Sequence, residues 1–222
     1  MSKQVRAASL VAMAALLLSG CTTGATPQPT NSYTPKVYVN APLTGMPFEE
    51  GTRPSLDGPS VACKIDNVGT ETLKANINRT DLVYVEMVEG GLTRLVAVFH
   101  SQILTTDADA KAVGVAPVRS IRPMDPDIIS PFGGIVCYSG GQWVLMKMML
   151  ATNVFNASET SEQDNGTFSR TKDRIAPHNV LVDVAKLATN HPELAAPQVQ
   201  FGFANEPTKS TAALQGKPVS DI

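Results

Sequence analysis

The sequence predicts an α+β fold, mixed α/β in content, with a central β-sheet, a hairpin closed by a glycine turn and a few packed helices. Short runs rich in Val, Ile, Tyr and Phe recur after residue 41, and such runs are typical of strands. Two later segments repeat apolar residues every three or four positions, which indicates helices. Hydrophobic residues make up 43% of the chain, which favours a globular domain over a disordered one.

Each element is predicted from its own segment. Strands are expected at residues 60–66, 82–88, 94–100, 112–118 and 134–138. Helices are expected at residues 142–151 and 182–189, and Asp183 has a side chain suited to cap the second helix. The polar segment 153–171 is predicted to be a loop.

The N-terminus has the pattern of an export signal. Lys3 and Arg6 precede an apolar stretch at residues 7–18, and Ser19-Gly20-Cys21 follows it, as in the lipobox of bacterial lipoproteins. A plain secretory signal and a membrane span are the alternatives, but a span needs roughly 20 apolar residues and this stretch is shorter. We therefore expect Cys21 to carry a diacylglycerol and fatty acids such as palmitate. This predicts a chain anchored at the extracytoplasmic face of the cell membrane.

The composition divides the chain into four parts. Residues 1–20 form the signal peptide, 21–40 a Thr/Pro-rich tether, 41–204 a globular domain, and 205–222 a polar tail or the truncated start of a further domain. Loss of Lys3 and Arg6 with the signal lowers the 18 basic residues to 16, against 20 acidic residues. A mildly acidic domain has no general attraction for nucleic acid, so the expected membrane contact is the lipid on Cys21.

Cys63 and Cys137 are the cysteines within the globular domain. Outside the cytoplasm a disulfide between them is permitted, and it would close a loop of roughly 75 residues worth on the order of 4 kcal/mol. Both lie in apolar, strand-like runs, which favours two buried free thiols instead. Both states stay open, and no spacing of possible ligands indicates a metal or another cofactor.

The segment 82–94 predicts a hairpin with a buried charge. Glu86 is the one polar residue of a run expected to be buried on both faces, so its carboxylate needs a partner. A three-residue turn at residues 90–92 would place Arg94 diagonal to Glu86 across the strand pair. A buried ion pair that only fixes the hairpin and a functional role for these residues are both compatible with this pattern.

Five of the seven arginines that follow the signal fall in three segments. Arg94 lies in the hairpin, and Arg119 and Arg122 flank Ser120 in a short loop bounded by prolines, here called the arginine loop (residues 117–123). A third segment carries two more arginines together with an imidazole and an amide: Arg170, Arg174, His178 and Asn179. Guanidinium groups suit carboxylate and phosphate, so the clustering predicts an anion-binding site.

Five motifs in order give the chain a resemblance to the YerB-like lipoprotein family of bacteria, whose defining domain has no known function. The motifs are Pro42-Leu43-Thr44-Gly45, Lys64-Ile65-Asp66-Asn67, Glu86 with Val88-Glu89-Gly90-Gly91 and Thr93-Arg94, Pro117-Val118-Arg119-Ser120 with Arg122-Pro123, and Ala176-Pro177-His178-Asn179. The resemblance implies an envelope lipoprotein without an assigned activity. It also implies a second, smaller C-terminal domain, which we expect to be missing here.

Three functions remain open at this stage. The first is binding of an anionic envelope component through Arg94, Arg119, Ser120, Arg122, Arg174, His178 and Asn179. The second is a hydrolase or transferase that uses Glu86 or Glu89 together with His178 for proton transfer. The third is a protein-interaction module in which the motifs only stabilise the fold. The first is favoured because neither a nucleophile motif nor a metal motif accompanies the carboxylates.

Overall fold

The computed structural model describes residues 34–69, 74–103, 114–160, 166–204, 206–210 and 214–216. The chain divides into two compact units, residues 1–35 and 36–222, and the fold described here is that of the second. The export signal and Cys21 lie outside the described residues. None of the helices within the described ranges has the length and apolar character that a bilayer crossing requires.

The described residues form ten strands and three helices. The strands are β1 (Tyr38–Asn40), β2 (Pro47–Glu49), β3 (Val61–Asp66), β4 (Leu82–Met87), β5 (Thr93–Phe99), β6 (Gly114–Val115), β7 (Ile135–Tyr138), β8 (Phe155–Ser158), β9 (Phe168–Arg170) and β10 (Val180–Asp183). The helices are α1 (Asp125–Ile129), α2 (Trp143–Leu150) and α3 (Val184–Asn190). The predicted α+β class is confirmed, and so are both predicted helices, with the Asp183 side chain accepting a hydrogen bond from the Lys186 amide at 2.9 Å.

A mixed five-stranded sheet forms the centre, in the order β4-β5-β3-β7-β8. Its β4, β5 and β3 strands are antiparallel, whereas β3, β7 and β8 run parallel. One face packs on α3 and on a three-stranded sheet of order β6-β10-β9, and the other packs on α1 and α2. Both faces of the central strands are therefore buried, which explains their continuous apolar runs.

The hairpin differs from the prediction in two ways. Glu86 lies directly opposite Arg94, because the connection spans residues 88–92 rather than the three residues expected. Gly90 and Gly91 both have positive φ in that connection, a conformation that glycine adopts without strain. The expected burial of β4 on both faces is also wrong, since Val85 and Met87 are exposed. As the edge strand of the sheet, β4 is covered on one face only.

The predicted loop at residues 153–171 contains two strands, β8 and β9, so that prediction is wrong. Asn156 is buried within β8, and its amide group donates to the Val154 carbonyl at 2.8 Å. Its carbonyl oxygen accepts a hydrogen bond from the Tyr138 hydroxyl at 3.3 Å. Because these bonds satisfy the amide internally, a polar residue fits a buried strand that composition alone does not reveal.

The two cysteines form a disulfide. Cys63 and Cys137 lie opposite each other on the parallel strands β3 and β7, with Cα atoms 4.5 Å apart. Of the two states left open by the sequence, the structure therefore contains the disulfide and not the favoured free thiols. Burial did not distinguish them, because both sulfur atoms lie in the core in either state.

The first strand falls within the segment that the sequence assigns to the tether. β1 pairs with β2 in a two-stranded antiparallel sheet, with Val39 opposite Phe48. The turn between the two strands contains Thr44 and Gly45, and Gly45 has a φ of 70°. The Phe203 ring packs directly on this glycine, leaving no room for a Cβ atom.

Candidate functional site

The arginine loop is inserted at the carboxyl ends of the parallel strands. β7 pairs with β3 only as far as Cys63. From Lys64 onward the arginine loop lies beside β3 instead, and the Arg119 amide donates to the Lys64 carbonyl at 2.9 Å. The Asp66 amide donates to the Pro117 carbonyl at 3.0 Å, and the Ser139 amide after β7 donates to the Arg119 carbonyl at 3.0 Å. The loop is therefore fixed on both sides, at the sheet edge where open α/β sheets commonly bind ligands.

Three guanidinium groups converge at this edge, and we call Arg94, Arg119 and Arg122 the arginine cluster. Arg94 is buried, and its Nη1 donates to the Ser120 carbonyl at 2.7 Å, while its Nε has no hydrogen bond within the described part of the chain. Arg122 donates from Nε to the exposed Glu89 carboxylate at 2.9 Å. Burial lowers the pKa of Arg94, and the nearby charges of Arg122 and Arg119 lower it further. The cluster thus holds like charges close together.

The third predicted segment reaches the cluster through His178. Arg119 donates from Nη1 to the Pro177 carbonyl at 3.0 Å, and its Nε lies 3.7 Å from an Asp66 carboxylate oxygen. The same Asp66 oxygen lies 2.5 Å from His178 Nδ1. Since the Asp66 carboxylate is buried and accepts only, it orients the half-exposed imidazole with Nδ1 as the donor.

Two other predicted ligand residues are not joined to the cluster. The Asn179 side-chain oxygen accepts a hydrogen bond from Arg170 Nη1 at 2.8 Å. Arg170 in turn pairs with Glu159 through two bonds of 2.5 and 2.8 Å. Arg174 has a buried Nη1 without a hydrogen bond, and no hydrogen bond or ion pair links it to the cluster among the described residues. Ser120, another predicted ligand residue, does contact the cluster, through its carbonyl oxygen, which accepts the hydrogen bond from Arg94.

A buried charge triad lies beneath the cluster. Lys64 is fully buried in β3, and its ammonium group contacts the Glu86 carboxylate and lies 2.7 Å from Asp125 Oδ1. Burial, and then the nearby Asp125 charge, raise the pKa of Glu86 to about 7 against the opposing effect of Lys64. Lys64 and Asp125 were not predicted from the sequence as partners of Glu86. The available signal was a lysine that directly follows three apolar residues in a predicted strand.

The acid/base residues considered from the sequence have separate partners. Glu86 points into the triad, Glu89 is exposed and pairs with Arg122, and His178 pairs with Asp66. Among the described residues, no group of three or more His, Cys, Asp or Glu side chains is arranged to hold a metal ion. What the site presents is therefore a set of guanidinium donors beside one oriented imidazole.

Comparisons with known proteins agree with this architecture. The model of the N-terminal domain of DUF3048, a protein family of unknown function, matches residues 43–197. The Bacillus subtilis (strain 168) protein named "Putative lipoprotein YerB" is 27% identical over 142 residues, which cover 64% of this chain and 39% of that protein. The crystal structure of YerB from Bacillus subtilis superposes with a TM-score of 0.61 at 22% identity, covering 76% of this chain and 56% of that one.

These matches define the family and the fold. The chain spans less than two thirds of the length of the relative and of the solved structure. At 22% identity the structural likeness shows a shared fold. The family match covers both the arginine cluster and the buried triad, and the sequence resemblance to YerB-like proteins is confirmed. The chain belongs to the DUF3048 family, as a member that contains its N-terminal domain.

Proposed function

We propose that this chain is a lipid-anchored lipoprotein of the bacterial envelope whose globular domain binds an anionic group at the arginine cluster. The lipobox ending at Cys21 supports the anchor, and so does the lipoprotein name of the Bacillus subtilis relative. The same features support a location at the extracytoplasmic face of the cell membrane. Its expected ligands are envelope components that carry phosphate or carboxylate.

The observation that carries the binding proposal is the incomplete neutralisation of the cluster. Three guanidinium groups face two carboxylates, those of Asp66 and Glu89. Arg94 is buried, and its hydrogen bond among the described residues goes to a neutral carbonyl. The Glu89 and Asp66 carboxylates raise its pKa, but burial and the charges of Arg122 and Arg119 outweigh them, so its charge is incompletely offset. A bound anion would offset the repulsion that lowers the pKa of Arg94. The anion would also meet hydrogen-bond donors on the arginine loop, whose backbone is already held by hydrogen bonds to β3 and to the residue after β7.

The binding test compares variants of the cluster with an arginine outside it. In calorimetric titrations of the full chain in detergent, a phosphate-bearing glycan fragment and a peptide with a free carboxylate serve as probes. Arg119→Gln and Arg122→Gln should each weaken binding about tenfold or more, because each removes a charge-assisted hydrogen bond. Arg170→Gln removes a partly exposed guanidinium that pairs with Glu159, so it is the matched control. Equal binding by the wild type and both cluster variants would refute the proposal.

A second candidate rests on the pair formed by His178 and Asp66. A buried carboxylate that orients a half-exposed imidazole is the arrangement found where a histidine transfers protons. This observation favours acid/base chemistry on the bound anion. Turnover of a bound glycan fragment that disappears in His178→Ala, with binding retained, would support it. If the wild type binds the fragment but does not turn it over, the acid/base role is refuted and only the anion-binding role remains.

A further inference from the structure

A cleft that shares no residue with the arginine cluster or the buried triad lies beside the β1–β2 hairpin. Its volume is about 720 Å³. It is bordered by β2, by the residues around Arg53 that lead into a 3-10 turn at Pro54–Asp57, and by a second such turn at Ile77–Arg79. Ligand pockets for small molecules commonly have volumes of roughly 300 to 1,000 Å³. The cleft is therefore large enough for a ligand of one or two sugar rings.

Arg53 and Arg79 line this cleft. They are the two arginines after the export signal that lie outside the three arginine-bearing segments. Neither Arg53 nor Arg79 has a carboxylate partner within 4 Å among the described residues. The Arg53 guanidinium stacks over the Phe48 ring, 4.9 Å from its centroid. Stacking occupies the face of the guanidinium and leaves its N–H groups free at the edge. Phe48 thus holds Arg53 in place without using its hydrogen-bond donors.

Asp81 is the one acidic residue among the described lining residues, and it forms no ion pair with Arg53 or Arg79. Asp81 Oδ2 accepts hydrogen bonds from the backbone amides of His100 at 2.6 Å and Ser101 at 2.9 Å. Its Oδ1 accepts a hydrogen bond from the Ser101 hydroxyl. The carboxylate is therefore committed to the start of the loop after β5. The described lining therefore carries two positive charges against one negative charge, and both oxygens of the negative group already accept hydrogen bonds.

The uncharged lining adds hydrogen-bonding groups suited to hydroxyls. The side-chain amides of Asn78 and Gln102 line the cleft and have no hydrogen bond within the described part of the chain. Thr44, from the motif at residues 42–45, lines both this cleft and a neighbouring cavity of about 530 Å³. A ligand with several hydroxyl groups would fit this mixture of amides and threonines better than an apolar one would.

We propose that this cleft binds an acidic sugar, whose carboxylate or phosphate is held by Arg53 and Arg79 and whose hydroxyls contact Asn78 and Gln102. The site is independent of the arginine cluster, so either can exist without the other. It also gives the motif at residues 42–45 a role, because the turn that contains Thr44 forms one wall of the cleft. The adjoining cavity gives room for the sugar that follows in a glycan chain.

The test uses the full chain in detergent, labelled with ¹⁵N in its arginine side chains and followed by NMR. Glucuronate, glucose 6-phosphate and neutral glucose serve as separate probes. We expect glucuronate or glucose 6-phosphate to shift the Nε–H signals of Arg53 and Arg79, and the responding probe identifies the acid as carboxylate or phosphate. Glucose should shift neither signal. The absence of a shift with both acids, or an equal response to glucose, would overturn the proposal.

Variants then assign the binding to the two guanidinium groups. Arg53→Gln and Arg79→Gln should each reduce the affinity for the responding probe about tenfold or more, whereas Arg170→Gln should leave it unchanged. Arg79→Lys keeps the charge and loses the two-pronged geometry, so it should show an intermediate loss even if a glutamine variant does not fold. Wild-type affinity in both Arg53→Gln and Arg79→Lys would contradict the assignment.

Discussion

The buried Glu86 carboxyl makes a specific prediction about how stability depends on pH. In the folded protein its pKa is about 7 instead of the usual 4.5, first because of burial and then because of the Asp125 charge. A carboxyl whose pKa is raised by folding holds its proton more tightly in the native state. That contribution to stability is complete below pH 4.5 and is lost as the pH rises through 7. Glu86→Gln replaces the carboxyl by a neutral group of the same shape and removes this titration.

The size of the effect follows from the shift. A difference of about 2.5 units between the folded and unfolded states corresponds to about 3 kcal/mol, at 1.36 kcal/mol per unit. Relative to Glu86→Gln, the wild type should therefore lose about 3 kcal/mol of unfolding free energy between pH 4.5 and pH 7.5. Urea denaturation of both proteins at half-unit pH intervals measures this difference. Histidine titrations are common to both proteins and cancel in the comparison.

Glu89→Gln is the matched control on the same hairpin. Glu89 is exposed, and its own backbone amide and then Arg122 lower its pKa, so its titration lies below the pH range tested. The difference between the wild type and Glu89→Gln should therefore stay constant above about pH 5.5, where the carboxyl is ionised in the unfolded state as well. If the difference between the wild type and Glu86→Gln is also constant to within about 0.5 kcal/mol, Glu86 does not titrate as its burial requires and the reasoning fails.

Three further predictions concern the stability of the fold. Lys64→Met should cost about 3–5 kcal/mol in urea denaturation because it leaves two buried carboxylates without their cation. Lys147→Met changes an exposed lysine that contacts the Trp143 ring, so it should change stability by less than about 1 kcal/mol. Gly45→Ala should lower the melting temperature more than Gly51→Ala. Both glycines have positive φ, but only at Gly45 would the new Cβ overlap the Phe203 ring, which adds a cost of about 1–3 kcal/mol. Equal losses in the two variants would contradict this prediction. Reduction of the disulfide should cost about 4 kcal/mol for its loop of roughly 75 residues, measured as the shift in denaturation midpoint between oxidised and reduced protein.

Local signals predicted much of the fold. The apolar runs located β3, β4, β5 and β7, and the N-cap chemistry of Asp183 located the start of α3. The prolines around the arginine loop indicated a fixed segment, and the structure fixes it between β3 and β7. In each of these cases the residues that decide the structure are close together in the sequence.

The predictions that were wrong or missed concern contacts between residues that are distant in the sequence. The hairpin register depends on which strands lie beside it, so the glycines alone could not fix the length of the connection. Whether Cys63 and Cys137 meet depends on the parallel pairing of β3 with β7 across 74 residues. The partners of Glu86 were missed for the same reason, since Lys64 and Asp125 come from two other elements.

The buried triad and the arginine cluster are linked by direct contacts, so a change in one alters the position of the other. Asp66, Arg94 and Glu86 lie opposite one another on β3, β5 and β4, so that an acidic, a basic and an acidic residue form one row across the sheet. Asp125 joins this row to the arginine loop, because one of its oxygens lies 2.7 Å from the Lys64 ammonium and the other accepts the Arg122 backbone amide at 2.5 Å.

The geometry of the cluster therefore depends on charges that are too deeply buried to touch a ligand. Weaker anion binding in a Lys64 variant would show that the loop has moved, and it would not show that Lys64 contacts the anion. Arg119→Gln and Arg122→Gln do not have this ambiguity, because they alter the solvent-accessible guanidinium groups and leave the ammonium of the triad in place. A contact role is established only where a cluster variant loses affinity while its unfolding free energy stays close to that of the wild type.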